Sequence, residues 1–235
     1  NASILNPGLQ AVQTRIVDVC REIVSNYDID GLVFDDYFYL NSIPNSYDAD
    51  TYNSSGTSLS QADWRRDNVN TMVSKVYNMI QSVKPYVKFG ISPAGVSKTS
   101  ASKYGISTSS ISSASDWQYS QIYSDPLAWL AAGTVDFISP QLYWITTHST
   151  NAYGPLSKWW SDACSKVFQR HFYSSHSISF LYGANTTTNW AEVAKQIQYN
   201  RDYDGLNAPG CVLFGSRDLS GVRTEGIAPY LKANK

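Results

Sequence analysis

The stretch Asp30-Gly-Leu-Val-Phe-Asp-Asp-Tyr-Phe-Tyr39 decides the fold, because it ends an apolar run with two neighbouring carboxylates. The run Ile29–Phe34 alternates and is β-branched enough to predict a strand, and the amphipathic pattern over Val12–Tyr27 predicts a helix before it. Asp35 and Asp36 then lie at the carboxyl end of the strand. In parallel α/β folds, and above all in (β/α)8 barrels, that end of the strands carries the chemistry.

The rest of the chain continues the alternation of helix and strand. Amphipathic patterns predict further helices over Ala62–Lys84, Pro126–Ala132, Leu156–Phe168 and Trp190–Asn200, and a short one that ends near Leu231. Short apolar runs predict further strands over Val87–Ile91, Val135–Ile138, Ser177–Leu181 and Cys211–Gly215. A complete (β/α)8 barrel takes eight strands in about 250 residues. The sequence therefore predicts an α/β fold of the (β/α)8 TIM-barrel type, incomplete at about five βα units, in a single domain over residues 1–235.

Two polar segments are expected on the side of the sheet that carries the carboxylates. Leu40–Ser60 is rich in Tyr, Asn and Ser and is too long for a simple turn, which is typical of functional loops. Lys98–Ser115 is serine-rich and irregular. We expect both segments to border the same rim.

Composition limits the classes of ligand. The net charge is -1, without a basic stripe to neutralise phosphates, so nucleic acid is not expected as a partner. No apolar run approaches the roughly 18 residues of a membrane span. Aromatic residues make up 14% of the chain, with 17 Tyr and 7 Trp, which is more than a core of this size needs. Rings on loops bind the apolar faces of sugars; the alternative is that most of them pack in the core.

The histidines give no sign of a metal site. His148, His171 and His176 do not have metal-ligand spacing, and solvated or capping histidines are expected instead. The sequence predicts no metal and no cofactor.

Five stretches, taken together, resemble one known family. They are Leu5-Asn-Pro-Gly8, Asp30–Tyr39, Ala62-Asp-Trp-Arg-Arg-Asp-Asn-Val-Asn70, Phe89-Gly-Ile-Ser-Pro93 and Ile138-Ser-Pro-Gln-Leu-Tyr-Trp144. None is specific alone, but the combination is similar to the glycosyl-hydrolase-like family 10. The similarity extends from the start of the chain to about Gly215.

The resemblance implies a (β/α)8-type glycosidase domain of bacterial extracytoplasmic enzymes, whether periplasmic, lipoprotein or secreted. Members of the family act on peptidoglycan glycan strands stripped of their peptides, so the implied partner is a polysaccharide. The resemblance also implies that the chain begins just before the fourth barrel strand. A barrel without its opening strands exposes a sheet edge, and we expect a homo-oligomer to cover that edge.

The adjacent carboxylates suit glycoside cleavage. One acid protonates the departing oxygen, and a second group stabilises or traps the positive charge at the anomeric carbon. If the sugar carries an N-acetyl group, its amide oxygen can attack instead, with one aspartate orienting the amide and the other acting as acid. Asp35 and Asp36 are the candidates, and Tyr143 would assist, as a Tyr on the sixth strand does in chitinase-like enzymes, which this layout also resembles. The structural alternative is that the pair caps a helix or forms a salt bridge.

The candidate substrate-binding residues lie on the expected rim, after strands or at the start of the helix that follows the first long loop. They are Tyr37, Tyr39, Trp64, Arg65, Arg66, Asn68, Ser92, Gln141, Trp144 and Asn185. For Arg65 and Arg66, pairing with surface acids is an equal alternative. At the level of the whole chain, the alternative to a glycoside hydrolase is a non-catalytic carbohydrate-binding domain, or an inactive fragment of such an enzyme.

Overall fold

The computed structural model describes residues 4–35, 38–97, 102–107, 116–178, 187–203, 210–216, 219 and 227–233. The chain forms two compact units. The first contains residues 1–93 and 115–137, and the second contains residues 94–114 and 138–235.

The first unit begins with a helix and then alternates strand and helix. Its elements are α1 (Gln10–Asn26), β1 (Gly31–Asp35), a 3-10 turn (Asn45–Tyr47), α2 (Ala49–Ser54), α3 (Gln61–Val83), β2 (Lys88–Ser92), α4 (Trp117–Ser120) and α5 (Pro126–Ala132). The polar segment predicted as one long loop thus contains two short helical pieces.

Helix α3 forms the core of the first unit. Its fully buried apolar side chains are spaced as on one helical face, at Val69, Val73, Val76 and Ile80. The helix begins where the Ser60 hydroxyl accepts a hydrogen bond from the backbone N–H of Asp63, an N-cap that fixes the end of the preceding loop. Strands β1 and β2 pair in parallel, in a register that aligns Asp35 with Ser92.

The second unit repeats the alternation. The chain enters it through β5 (Phe137–Ile138), and its own elements are the antiparallel pair β3 (Ser102–Lys103) and β4 (Ile106–Ser107), α6 (Tyr153–Asp162) with a π-helical extension (Ala163–Phe168), β6 (His171–Ser177), α7 (Thr187–Tyr203), β7 (Gly210–Phe214) and α8 (Ile227–Ala233). Strands β6 and β7 pair in parallel, and Gln141 bridges Ala94 on one side and Ser175 on the other.

The predicted strand Ser177–Leu181 overlaps the observed strand only at Ser177, and residues 179–181 lie outside the described residues. The strand that the structure shows is β6, which ends at Ser177. Its interior positions carry the buried polar residues Ser174, Ser175 and His176. Ser174 and His176 hydrogen-bond to each other and to α7, and Ser175 Oγ lies 3.4 Å from the Tyr143 hydroxyl. A hydropathy pattern does not detect such a strand.

Five parallel strands, β1, β2, β5, β6 and β7, follow chain order and alternate with helices. This confirms the predicted α/β fold of an incomplete (β/α)8 TIM-barrel type. Among the described residues, no helix combines the length and the apolar character needed to cross a bilayer.

Candidate active site

Asp35 is the last residue of β1, at the carboxyl end of a parallel strand. Its side chain is exposed, and its backbone is in register with Ser92 at the end of β2, so both residues lie at the edge where the sequence predicted chemistry. Asp36 and Tyr37 lie outside the described residues. The structure therefore supports the position of the first member of the pair.

Tyr39 lies close behind this strand end, in the interior of the first unit. Its side chain is 1% exposed, and its ring packs edge-on against Tyr123 with centroids 5.3 Å apart. Burial raises the pKa of the phenol, with a further contribution from Asp48. The hydroxyl is buried and makes no hydrogen bond with a described residue. Tyr39 also lines a cavity of about 200 Å³ together with Pro7, Leu40, Ile43, Tyr47, Asp48, Ile4 and Asn6.

Arg65 anchors the polar segment that follows β1. It is fully buried, and its Nε and Nη2 bind the Asp48 carboxylate at 2.8 and 2.5 Å. Nη1 donates to Asn45 Oδ1 at 3.2 Å and to the Tyr123 hydroxyl at 2.7 Å, and Nη2 also donates to the Pro44 carbonyl at 3.3 Å. These five hydrogen bonds use all five guanidinium N–H groups. The arginine therefore fixes the segment from inside.

The other predicted residues of α3 are also engaged within the first unit. Trp64 is 5% exposed and packs edge-on against Tyr52. Arg66 lies over the Tyr119 ring, 4.0 Å from its centroid, and pairs with Asp63. The Asn68 amide donates to the Trp64 carbonyl one turn earlier in the helix.

In the second unit, Gln141, Tyr143 and Trp144 follow β5. Tyr143 stacks on Phe214 of β7 with centroids 6.1 Å apart, and its hydroxyl lies 3.4 Å from Ser175 Oγ. Trp144 is half-buried and meets the His148 ring edge-on. These residues form one segment, 141–148, which we call the aromatic loop. Asn185, the remaining candidate, lies outside the described residues.

A buried polar network in the second unit was not predicted from the sequence. His176 Nε2 lies 2.7 Å from Ser174 Oγ, and His176 Nδ1 lies 2.9 Å from Gln196 Oε1. The Tyr153 ring stacks on His176 at 5.3 Å, and its hydroxyl donates to Asn200 Oδ1 at 2.6 Å. All five side chains are buried. The network ties β6 to one face of α7.

The network extends from α7 to the aromatic loop through Glu192. Its Oε1 accepts from the Thr146 backbone N–H at 2.6 Å, and its Oε2 accepts from the Thr146 hydroxyl at 3.0 Å. Gln196 Nε2 donates to the Trp144 carbonyl at 3.1 Å and to Glu192 Oε1 at 3.1 Å. The signal in the sequence is the four-residue spacing of Glu192, Gln196 and Asn200, which places three polar side chains on one helical face.

These contacts fix the protonation of the network. The Trp144 carbonyl and Glu192 Oε1 both accept hydrogen bonds from Gln196 Nε2. Gln196 Oε1 therefore faces His176, and because this oxygen can only accept, the imidazole must donate to it through Nδ1. Nε2 then accepts from the Ser174 hydroxyl. Burial lowers the pKa of His176 to about 4, against the opposing effect of its hydrogen bond to Gln196, so the ring is neutral at pH 7.

We expect the stability of the chain to fall between pH 6.5 and pH 4 because of His176. Over this range the unfolded chain takes up a proton on the imidazole and the folded chain does not, so acid favours unfolding, by about 3 kcal/mol over the full window. The measurement is urea unfolding at pH 7, 6, 5 and 4 for the wild type and for His176→Gln. The variant should lose this part of the pH slope, whereas His171→Gln, exposed on the same strand, should keep it. Equal slopes for wild type and His176→Gln would contradict the assignment.

Within the described ranges, no cluster of three or more His, Cys, Asp or Glu side chains could hold a metal ion. The polar groups named above instead form hydrogen-bonding networks that hold the segment after β1 and the aromatic loop.

Known proteins resemble this chain over nearly its whole length. The profile of the family described as Glycosyl hydrolase-like 10 matches residues 1–191. The chain belongs to the glycosyl-hydrolase-like family 10. The resemblance inferred from the sequence is thereby confirmed.

Two relatives of this chain have names that state an activity. The protein named Glycosyl hydrolase DigH of Escherichia coli K12 is 33% identical over 240 residues, covering 98% of this chain and 53% of the relative. Glycosyl hydrolase YngK of Bacillus subtilis strain 168 is 34% identical over 228 residues, covering 94% of this chain and 43% of the relative. The chain thus spans about half the length of the curated relatives that it matches.

Proposed function

We propose that this family 10 chain carries the catalytic centre of a glycoside hydrolase that cleaves an N-acetylhexosamine-containing glycan, namely peptide-free peptidoglycan strands. The observation that carries the proposal is the position of Asp35 at the carboxyl end of a parallel strand, directly before a second aspartate, in a family of glycosyl hydrolases. A catalytic acid must lie within hydrogen-bonding reach of the oxygen that it protonates.

In the proposed mechanism, the carboxyl group of one of the two residues Asp35 and Asp36 protonates the glycosidic oxygen. The other carboxylate either orients the N-acetyl group of the substrate, whose amide oxygen attacks the anomeric carbon, or acts on that carbon itself. The bond between the anomeric carbon and the glycosidic oxygen breaks, the oxygen leaves with the proton, and water then adds to the anomeric carbon and returns a proton to the acid. Tyr143 assists through its hydroxyl group. No metal takes part in this proposal.

The predicted substrate-binding residues divide into two proposed roles. Tyr37, Ser92, Gln141, Trp144 and Asn185 bind the sugar directly from the ends of strands and the loops after them. Trp64, Arg65, Arg66 and Asn68 support the rim, since their polar groups are used by neighbouring protein atoms. Tyr39 contributes a wall of the cavity behind β1.

Two further proposals concern the setting of the chain. We propose an extracytoplasmic location, because peptidoglycan lies outside the cytoplasm. We also propose self-association through β1, which is an edge strand of the described sheet and in which Val33 is 50% exposed. Light scattering that shows a monomer at all concentrations would contradict the proposed self-association.

The experiment that tests the function is digestion of purified peptide-free glycan strands in water enriched in ¹⁸O, followed by mass spectrometry of the products. Hydrolysis places one labelled oxygen at each new reducing end, and the fragment masses identify the bond that is cleaved. Intact strands that are retained by the immobilised chain would favour the binding domain instead. Strands that are neither cleaved nor retained would contradict both functions.

A further inference from the structure

We propose that Glu192 is a positioning residue for the aromatic loop, and that it sets the affinity for the glycan by holding the backbone of Thr146 and, through Gln196, that of Trp144. The inference rests on the proposed function, because it assigns to Trp144 a contact with the sugar. Glu192 lies just beyond residues 1–191, which the family profile matches.

Glu192 holds the Thr146 peptide unit through two hydrogen bonds. A single carboxylate accepts both the backbone N–H and the hydroxyl of this residue, at 2.6 and 3.0 Å. Two hydrogen bonds from one residue to one carboxylate fix both the position and the rotation of the peptide unit.

The side chains that hold the aromatic loop are themselves fixed by their neighbours. Glu192 lies on α7, and Gln196, one turn later, donates to both Glu192 and the Trp144 carbonyl. Gln196 is held in turn by His176 on β6, and His176 by Ser174. The loop backbone is therefore tied, through buried side chains, to a strand and a helix of the second unit. A side chain locked in this way keeps its partner in place without reorganisation.

A fixed loop backbone affects binding of the glycan through Trp144. Trp144 is half-buried, so part of its indole surface is available to a ligand while its backbone is held. A stacking ring contributes to affinity only when it is already in place, because ordering it on binding consumes part of the binding free energy. Loss of the Glu192 carboxylate should therefore weaken binding of the glycan more than it slows the bond-breaking step.

The test compares Glu192→Ala, Glu192→Gln and Lys195→Ala with the wild-type chain. The glutamine amide still presents an oxygen to the Thr146 N–H, and its nitrogen can donate to the Thr146 hydroxyl, so this variant keeps the geometry without the charge. Lys195 is an exposed residue of the same helix and serves as the matched control. Peptide-free glycan strands are the probe, with binding followed by tryptophan fluorescence and cleavage by release of reducing ends.

For Glu192→Ala we expect Kd and KM to rise about tenfold, with kcat within about threefold of the wild type. Hydrogen exchange of the Thr146 amide should also become at least about tenfold faster. Glu192→Gln should stay within about threefold in every readout, and Lys195→Ala should match the wild type. The exchange rate reports on the loop even without substrate.

Several results would overturn the inference. If Glu192→Ala accelerates exchange at Thr146 but leaves Kd and KM unchanged, the contact is structural only. If Glu192→Gln is as impaired as Glu192→Ala, the charge matters rather than the geometry. If the wild type binds the strands without cleaving them, the proposed hydrolysis fails, but Kd still tests the inference. If it does neither, the proposed function fails and the inference fails with it.

Discussion

Replacement of Asp36 by Asn should reduce hydrolysis of peptide-free glycan strands by at least about 10³-fold, and Asp35→Asn should have an effect of similar order. General acid catalysis alone contributes about 10²–10⁴-fold, and loss of a carboxylate that orients or traps the reacting group adds to this. The amide is close in size to the carboxylate, so folding is preserved while proton transfer is lost. Initial rates of reducing-end release measure the effect directly.

The matched control for both variants is Asp30→Asn. Asp30 is an exposed aspartate immediately before β1, and it takes part in the sheet through its backbone carbonyl, which accepts from the Lys88 N–H. We expect its rate to equal that of the wild type. Hydrolysis by Asp36→Asn at the rate of the control would remove the chemical basis of the proposed mechanism. Hydrolysis by Asp35→Asn at that rate would leave Asp36 acting with a different partner.

Asp35 and Asp36 are proposed to have different roles. Side chains of consecutive residues in a strand point to opposite faces, so the sequence predicts different surroundings for two adjacent carboxylates at a strand end. Distinct surroundings let the same residue type act as acid and as charge stabiliser.

The order of elements in the fold could be predicted from the sequence because it depends on local patterns. The apolar run Leu32–Phe34 of β1 and the apolar face of α3 are visible in the residues themselves. The part of β6 before Ser177 was not predicted, because its burial depends on hydrogen bonds between Ser174, His176 and residues of α7, which lie far along the chain. No local hydropathy signal records such partners.

The same reason limits prediction of the site. The strand end at Asp35 could be predicted because chemistry in parallel sheets collects at carboxyl ends. The surroundings of Arg65 could not be predicted, because its hydrogen-bond partners include residues that lie far along the chain. Asn45 is 20 positions away and Tyr123 is 58 positions away. A charged residue near an expected rim suggests ligand contact, whereas its burial is a property of the folded loop.

Removal of the Arg65 side chain should have the largest effect on stability. Asp48 is 4% exposed, and Arg65→Ala leaves its carboxylate buried without its cation, which costs about 3–5 kcal/mol in comparable cases. Asp48→Asn should also be destabilising, because it leaves the Arg65 guanidinium buried without its anion. Urea unfolding at pH 7 measures the change. Arg21→Ala on the exposed face of α1 is the matched control and should change the free energy of unfolding by less than about 0.5 kcal/mol.

The double variant Arg65→Met/Asp48→Leu separates stability from positioning. Replacing both members of a buried ion pair by apolar side chains of similar size is often neutral for stability, so most of the loss seen in Arg65→Ala should be recovered. The hydrogen bonds of Arg65 to Asn45, Pro44 and Tyr123 are not recovered, and these fix the segment after β1. We therefore expect a stable chain whose glycan hydrolysis stays impaired. Full activity in this variant would show that the ion pair contributes to folding alone, and that the position of the segment does not depend on it.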